Sequence, residues 1–529
     1  MIEPRDTITI ETPPEKVWAW LCSLPNHYRE WHPAHVRCWY ESGSELKAGA
    51  VIGVEEELHG HVHNNRERSK PHMHRIRNRC AINITHLLIT FLALVTPAHI
   101  ASARQPINKS EFVARRAKLF EKISDGIAVI CSAKEQFYPI KFRQTPDFYY
   151  LTGIEEPNAI LVLIGPNKSS YLFVPTRSDA QIRAEGSGIW QVEKREEVYG
   201  LTGVRPPEEF LPMLTFLARS AKKLYMPIGS QGNVQNAREE LDFKQLFEMS
   251  HPLFRSIPES KQAISVIQQI VPQLVLEDLN PLLDDMRWIK TPYEIELIRK
   301  SCKIGAEGVK EAMKGTRPGM YEYELEAVAR FVYTRLGARG DAFRPIVASG
   351  PNTTIWHYSA NNRRMQDGEV VYMDYGADYE YYTSDVTRTW PVSGRFTPEQ
   401  EKMYRCILEV RDTVIAAMKP GVTIANLQDI AGEVYKRHGF HKEFLAIGRS
   451  IGHTVGISVH DVLSSDRKRP FEAGVVYNVE PILEIPEKRI HLRLEDTVLI
   501  TPWGAENMTA GAPVRLEEIY ALFGKKPVG

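Results

Sequence analysis

The chain has 529 residues, of which 43% are hydrophobic, and it is long enough for two or three domains with sizeable cores. Its 66 basic and 66 acidic residues balance, and its pI is about 7.3. This balance gives no support to nucleic-acid binding, so no nucleic-acid partner is expected. The six cysteines show neither paired metal-ligand spacing nor dense clustering, and we expect no disulfide framework.

The chain opens with a segment whose residues 7–21 read TITIETPPEKVWAWL. This segment resembles the start of a START-like (polyketide-cyclase) domain that binds lipids or other ligands. The likeness runs to about Gly60 and then stops, well short of a complete domain of that kind. We therefore expect residues 1–72 to be a truncated fragment without a function of its own, and Met73 to be the physiological start.

Residues 73–103 have the three parts of a secretory signal peptide. A basic stretch at 74–79 precedes an apolar stretch at 87–95, and Ala101-Ser102-Ala103 forms a small-residue cleavage site. A short membrane anchor or a buried helix is the alternative, but polar residues and a proline interrupt the apolar run. The signal peptide predicts a secreted or periplasmic protein with no stable membrane span after cleavage; without it, the protein would be cytoplasmic.

Residues 104–280 alternate between helical and strand-like patterns. A helix is predicted at 111–123, and apolar strands are predicted at 126–131, 159–164 and 170–174. We interpret this region as an α/β amino-terminal domain. A polar helical connection near 256–285 is expected to lead into a catalytic domain at 281–529.

The catalytic region contains an internal repeat. Pro, Gly, Leu, Ala, Val, Tyr, Arg and Gly recur in register between residues 318–337 and 420–439. Each copy predicts a Pro-Gly turn followed by an amphipathic helix that ends at a glycine. Capping boxes beginning at Thr291 and Thr397 each predict a long helix before the repeat. The pattern favours an α+β fold of two pseudo-symmetric halves, in which helices back a curved sheet.

Each half also carries a pair of acidic residues. Asp374 and Asp385 follow the first copy, Glu480 and Glu495 follow the second, and His453 lies between the pairs. Three of these acids lie within apolar strand-like runs, where an unpaired carboxylate is costly, and this argues against ordinary solvated turn residues. Two divalent cations about 3.5–4 Å apart need bridging carboxylates, a neutral imidazole and room for a water. The pattern therefore predicts a dinuclear hydrolytic site.

Three further residues are candidates for this site. Arg493 lies two residues before Glu495, so both should point to one face of a strand, where the guanidinium could hold a ligating carboxylate. His460 and His357 are candidates to bind the substrate and the developing oxyanion.

Several motifs from about Asn108 onward resemble the aminopeptidase P branch of the pita-bread metallopeptidases, with prolidase as a close relative. The motifs are Met373-Asp374-Tyr375-Gly376, Ser384-Asp385-Val386-Thr387-Arg388-Thr389, Gly452-His453, Val459-His460-Asp461, Val479-Glu480-Pro481 and Arg493-Leu494-Glu495-Asp496. Residues 143–153, RQTPDFYYLTG, also resemble the amino-terminal domain of that branch. The resemblance covers about four fifths of the chain, and it implies a pita-bread catalytic domain preceded by an α/β domain.

The resemblance also implies roles for residues and a cofactor. It implies two metal ions, usually Mn2+, held by five ligands: Asp374, Asp385, His453, Glu480 and Glu495. Asp385 and Glu495 would be the bridging pair. Glu480 would shuttle the proton of a water that attacks the scissile carbonyl, while His460 and His357 steady the peptide. Dimers and tetramers are usual in this family, so a homodimer or homotetramer is expected.

One position departs from the family pattern. Arg449 stands where the family often has a histidine, four residues before His453. Because the resemblance puts this position beside the substrate, the residue preferred before proline is left open.

These observations predict a metal-dependent exopeptidase that releases the first residue from peptides with proline at the second position. Proline-containing peptides are therefore the expected partners. An Xaa-Pro dipeptidase (prolidase) or another dinuclear-metal hydrolase is the alternative, separated by substrate length. A metal-free binding module on the same fold would have lost ligands, and none of the five is lost.

Overall fold

The structure is a computed structural model that describes residues 35–42, 51–58, 61–64, 108–135, 141–253, 257–462 and 467–527. The chain divides into two units, Met1–Gln105 and Pro106–Gly529. In the first unit the described residues form an antiparallel sheet of β1 (His35–Ser42), β2 (Val51–Leu58) and β3 (His61–Asn64), in that order. The predicted signal segment 73–103 lies outside the described residues.

The second unit begins with a lobe built on a six-stranded mixed sheet. Its strands are β4 (Gly126–Cys131), β5 (Ile160–Ile164), β6 (Ser169–Phe173), β7 (Gly203–Arg205), β8 (Lys223–Met226) and β9 (Val275–Asp278), in the order β7-β6-β5-β4-β8-β9. Its helices are α1 (Lys109–Lys122), α2 (Pro146–Thr152), α3 (Asp179–Glu185), α4 (Arg195–Tyr199), α5 (Phe210–Leu217), α6 (Arg238–Ser250), α7 (Glu259–Ile270) and α8 (Asn280–Trp288). Apolar side chains cover both faces of this sheet, as expected for central strands such as β4, which is buried along almost its whole length.

The predicted elements of this lobe lie within two residues of their observed bounds, with one exception. The segment near 256–285 was predicted to be a helical connection, and this was partly wrong. It contains α7 and α8, but β9 lies between them and pairs in parallel with β8. The connection therefore extends the six-stranded sheet before it enters the catalytic lobe.

The carboxy-terminal lobe contains the predicted helix pairs. The first half has α9 (Pro292–Gly315) and α10 (Glu322–Arg335), and the second half has α11 (Pro398–Ala417) and α12 (Ile424–Arg437). The capping boxes are confirmed: Thr291 accepts a hydrogen bond from the Glu294 amide, and Thr397 accepts one from the Gln400 amide. Two further helices, α13 (His441–Ala446) and α14 (Leu516–Leu522), follow.

The two Pro-Gly turns are built alike. Gly319 has φ +89° and Gly421 has φ +88°, a left-handed conformation that a residue with a side chain adopts only with strain. Each turn then leads directly into its helix, as the repeat predicted.

Within the part of this lobe that the structure describes, the strands form four small antiparallel sheets and not one continuous curved sheet. They are β10 (Gly340–Asp341), β11 (Ile346–Ser349), β12 (Val370–Asp374), β13 (Ala377–Tyr379), β14 (Tyr382–Thr383), β15 (Thr387–Pro391), β16 (Val476–Val479), β17 (Ile482–Ile485), β18 (Ile490–Arg493), β19 (Asp496–Thr501) and β20 (Gly504–Asn507). The sheet orders are β11-β12-β15, β16-β19-β20, β10-β13-β14 and β17-β18. An isolated bridge between Thr387 and Glu495 connects the two halves.

Buried ion pairs join the two lobes. Arg287 of α8 pairs with Asp147 of α2 at 2.7 Å and also with Asp461 of the catalytic lobe. Lys290 pairs with the other oxygen of Asp461 at 3.1 Å. All four side chains are nearly inaccessible to solvent, so the lobes are linked by charges that must stay paired.

Among the described residues, no helix is long and apolar enough to cross a membrane.

Candidate metal centre

The four acids lie at neighbouring strand ends. Asp374 is the last residue of β12 and is paired in register with Thr387, the first residue of β15. Asp385 lies two residues before that strand. The second half repeats the arrangement: Glu480 directly follows β16, and Glu495 directly precedes β19.

His453 joins one acid from each half. Its Nε2 atom lies 3.5 Å from Asp385 Oδ2 and 3.5 Å from Glu495 Oε1. One ligand atom from each of these three residues lies within 4.8 Å of the others. The Nδ1–H of His453 donates to the Thr454 carbonyl at 3.1 Å, which turns Nε2 toward the carboxylates.

Arg493 brings in the other two acids. Its Nη1 atom donates to Asp374 Oδ2 at 2.7 Å and lies 3.3 Å from Glu480 Oε1. Arg493 therefore contacts a carboxylate from each half; the sequence predicted that it could hold a ligating carboxylate but did not say which. The charge of Glu495 acts on both Asp374 and Glu480, so the two acids that Arg493 contacts lie close to the group of Asp385, His453 and Glu495.

This donor set fits divalent cations. Four carboxylates converge here, and within the described residues the buried Oδ1 atoms of Asp374 and Asp385 have no hydrogen-bond partner. Burial and the charge of Glu495 raise the pKa of Asp374 to about 6 and that of Glu480 to about 8. Carboxylate oxygens and one imidazole nitrogen suit hard to borderline metals, which would relieve this repulsion.

Two supporting residues were missed from the sequence. Thr387 Oγ1 donates to Glu495 Oε2 at 2.7 Å, and Asn478 Nδ2 donates to Glu495 Oε1 at 2.9 Å. Each lies two positions from a predicted ligand, Thr387 from Asp385 and Asn478 from Glu480. The two-residue period of an extended chain was therefore a signal that could have identified them.

His460 lies beside the ligand histidine. The ring centroids of His460 and His453 are 4.1 Å apart. The Nδ1 atom of His460 is 2.5 Å from Glu240 Oε1, a contact with the amino-terminal lobe that the sequence did not predict.

His357 lies on an exposed loop whose backbone is hydrogen-bonded to Arg493 of the candidate metal centre. The carbonyl of the preceding residue, Trp356, accepts hydrogen bonds from Arg493 Nη2 and from the Tyr372 hydroxyl, each at 3.4 Å. Partial burial and the nearby charges of Arg493 and His460 lower the pKa of His357. A neutral imidazole is therefore favoured at this position.

Arg449 is engaged away from the acids. Its guanidinium pairs with Asp429 of α12, and its backbone is left-handed, with φ +61°. The expected effect of Arg449 on substrate preference stays a prediction.

Comparisons with known proteins agree with this geometry. The model of metallopeptidase family M24 matches residues 296–502, and that of the aminopeptidase P amino-terminal domain matches residues 112–225. The Xaa-Pro aminopeptidase of Escherichia coli K12 is 32% identical over 455 residues, covering 79% of this chain and 98% of the relative. The chain belongs to the aminopeptidase P branch of metallopeptidase family M24. It is therefore a metal-dependent exopeptidase with a pita-bread catalytic domain.

Two further comparisons bear on its place in the M24 family. The solved structure of E. coli aminopeptidase P with the inhibitor Pro-Leu has a TM-score of 0.66 and 30% identity, covering 79% of this chain and 98% of that one. An Xaa-Pro dipeptidase of Pyrococcus furiosus is 36% identical over 233 residues, covering 44% of this chain and 66% of the relative.

The first 77 residues match a model of polyketide cyclases and lipid-transport proteins.

Proposed function

We propose that the chain removes the amino-terminal residue from peptides whose second residue is proline. The observation that carries this proposal is a buried group in which Asp385, His453 and Glu495 offer ligand atoms within 4.8 Å of one another, with Asp374 and Glu480 held nearby on Arg493. Prolidase is not better supported, because the dipeptidase match covers 44% of the chain, whereas the aminopeptidase match covers 79% and both lobes.

The proposed cofactor is a pair of Mn2+ ions held by these five side chains. When bound, two such ions would polarise the scissile carbonyl and acidify a water molecule. A ligand set with four carboxylates and one imidazole supports a hard cation such as Mn2+. Metal analysis of the purified protein, with activity measured after loading Mn2+, Zn2+ or Co2+ into chelated enzyme, tests the identity of the metal.

The protein side chains would manage the proton and the carbonyl group. The bond before proline is a tertiary amide, so the leaving nitrogen has no hydrogen and must gain one. Glu480, held near Arg493 Nη1, would take a proton from the attacking water and deliver it to that nitrogen. His460 and His357 would hold the carbonyl oxygen, and Arg493 would keep Asp374 in place.

The full-length chain loaded with Mn2+ should be assayed on Xaa-Pro-Yaa tripeptides, Xaa-Pro dipeptides and Xaa-Ala-Yaa tripeptides. We expect release of the first residue mainly from the proline tripeptides. Preference for the dipeptides would make the enzyme a prolidase. Inactivity on all three with metals bound would overturn a peptide substrate.

We also propose that residues 73–103 direct export and that residues 1–72 do not contribute to catalysis. The tripartite composition of the segment supports this. Mass spectrometry of the native protein should find Arg104 at the amino terminus in the exported fraction. Peptides from residues 1–72 in the native protein would contradict the expectation that Met73 is the physiological start.

A further inference from the structure

A helix of the amino-terminal lobe reaches the catalytic centre. Glu240 lies in the first turn of α6, and its Oε1 atom is 2.5 Å from His460 Nδ1. The backbone runs alongside as well: the His460 amide donates to the Gln235 carbonyl at 3.1 Å, and the Val459 amide donates to the Val234 carbonyl at 2.8 Å. The contact between Glu240 and His460 is therefore part of an extended junction between the two lobes.

The Glu240 carboxylate is fixed by its own helix. Its Oε2 atom accepts hydrogen bonds from the Ala237 amide at 3.2 Å and from Asn236 Nδ2 at 3.1 Å. These contacts occupy one oxygen and cap the helix. The other oxygen, Oε1, is left for His460, so the carboxylate is already oriented toward the imidazole.

A carboxylate at Nδ1 determines what the opposite nitrogen of a histidine can do. When Nδ1–H donates to a carboxylate, the ring plane and the tautomer are fixed, and this sets the direction in which Nε2 faces. In the described part of the chain no hydrogen bond engages Nε2 of His460, and the ring lies against the ligand His453. The nitrogen that could meet the substrate is therefore the one that Glu240 leaves free.

We propose that Glu240 is a positioning residue that orients His460 for hydrolysis, so that the amino-terminal lobe completes the active site. This inference rests on the proposed function, because it assumes that His460 binds the substrate carbonyl. Glu240 itself does not touch the reacting atoms; it acts through His460.

The kinetic test compares Glu240→Ala and Glu240→Gln with Glu239→Ala, all in the full-length Mn2+-loaded chain. Glu239 is the neighbouring acid on the same helix and is exposed, so its loss is a matched control. Glu240→Ala should lower kcat roughly ten- to a hundred-fold with KM changed little and metal content unchanged. Glu240→Gln keeps an acceptor for Nδ1–H and should retain more activity, and Glu239→Ala should match the wild type.

A double-mutant cycle separates positioning from a general loss of structure. If Glu240 acts through His460, Glu240→Ala should have no further effect in a His460→Ala background. An equal fold-loss in both backgrounds would overturn the proposal, as would a Glu240→Ala enzyme within about twofold of wild type.

A spectroscopic measurement tests the contact without relying on activity. In protein labelled with 15N-histidine, the Nδ1–H of His460 should give a downfield proton resonance both in the chelated protein and after loading with diamagnetic Zn2+. The resonance should be absent from Glu240→Ala and His460→Ala and kept in Glu239→Ala. Its persistence in Glu240→Ala would overturn the contact, whereas a wild-type enzyme that shows the resonance but cleaves no peptide would overturn the proposed function instead.

Discussion

At the scale of single residues, the positive charge of Arg493 reduces the repulsion between the acids of the candidate metal centre. Arg493 is almost fully buried and contacts Asp374 from the first half and Glu480 from the second. A positive charge at this point offsets part of the carboxylate repulsion and leaves the remainder for the metals. We therefore expect the removal of a metal ligand and the removal of a substrate contact to have different effects on metal binding and activity.

Asp385→Ala and Glu495→Ala should each abolish activity and metal binding together. Both carboxylates lie 3.5 Å from His453 Nε2, and the family resemblance makes them the pair that would bridge the two ions. We expect a loss of roughly three orders of magnitude or more in kcat/KM, with metal content measured by mass spectrometry. Glu487→Ala, an exposed acid on the same lobe, is the control. Full metal occupancy in Asp385→Ala would contradict the bridging role.

His460→Ala should lower turnover while the metal content stays intact. The residue contacts the ring of His453 but is itself held by Glu240, so its loss removes a substrate contact and no ligand. A fall of about 100- to 1,000-fold in kcat is expected for one stabilising donor. Release of the metals from this variant would reverse the roles assigned to the two histidines.

At the scale of elements, the link between α8 and the catalytic lobe depends on Asp461. Burial alone would raise the pKa of Asp461, but the adjacent cations of Arg287 and Lys290 lower it overall to about 2. A carboxylate with a depressed pKa stabilises the fold above its unfolded-state pKa of about 4. That stability, about 2.5 kcal/mol, is lost as the pH falls from about 4 toward 2.

Asp461→Asn should destabilise the folded chain by about 3–5 kcal/mol near neutral pH, because it leaves buried Lys290 without its carboxylate and buried Arg287 with Asp147 alone. Denaturant unfolding followed by circular dichroism measures this loss. The variant should also lose the part of the acid sensitivity that Asp461 contributes between pH 4 and 2. A variant as stable as wild type at pH 7 would show that the pairs contribute nothing net.

At the scale of the whole molecule, the metals should stabilise the fold because their ligands come from both halves. Backbone pairing between the halves includes the Thr387–Glu495 bridge, and the predicted bridging ligands lie beside it. Chelation should therefore lower the unfolding temperature by several degrees, and Mn2+ should restore it in a concentration-dependent way. Calorimetry of chelated and reloaded protein checks this, with Asp385→Ala as the control that should not respond. An unchanged transition in the wild type would show that the halves are held without the cations.

The parts of the molecule that depend on local patterns could be predicted from the sequence. Capping boxes located α9 and α11, and the repeat located α10 and α12. Both signals are local, because a helix end and an apolar helix face each depend on residues that are close together in the sequence. Glu240 could not be predicted, since its partner His460 lies 220 residues away and no local pattern links them. The strand β9 was missed for the same reason: its identity depends on pairing with β8.

Because each acid pair is set by neighbouring ends of antiparallel strands, the number of residues between its members is free to vary. Eleven positions separate Asp374 from Asp385, and fifteen separate Glu480 from Glu495, yet both pairs reach the same centre. The turns within the intervening segments, at 380–381 and 486–489, can therefore gain or lose residues without moving the ligands, so insertions should accumulate there as such enzymes diverge. A search for distant relatives should ask for strand-end acids in each half and leave the spacing open.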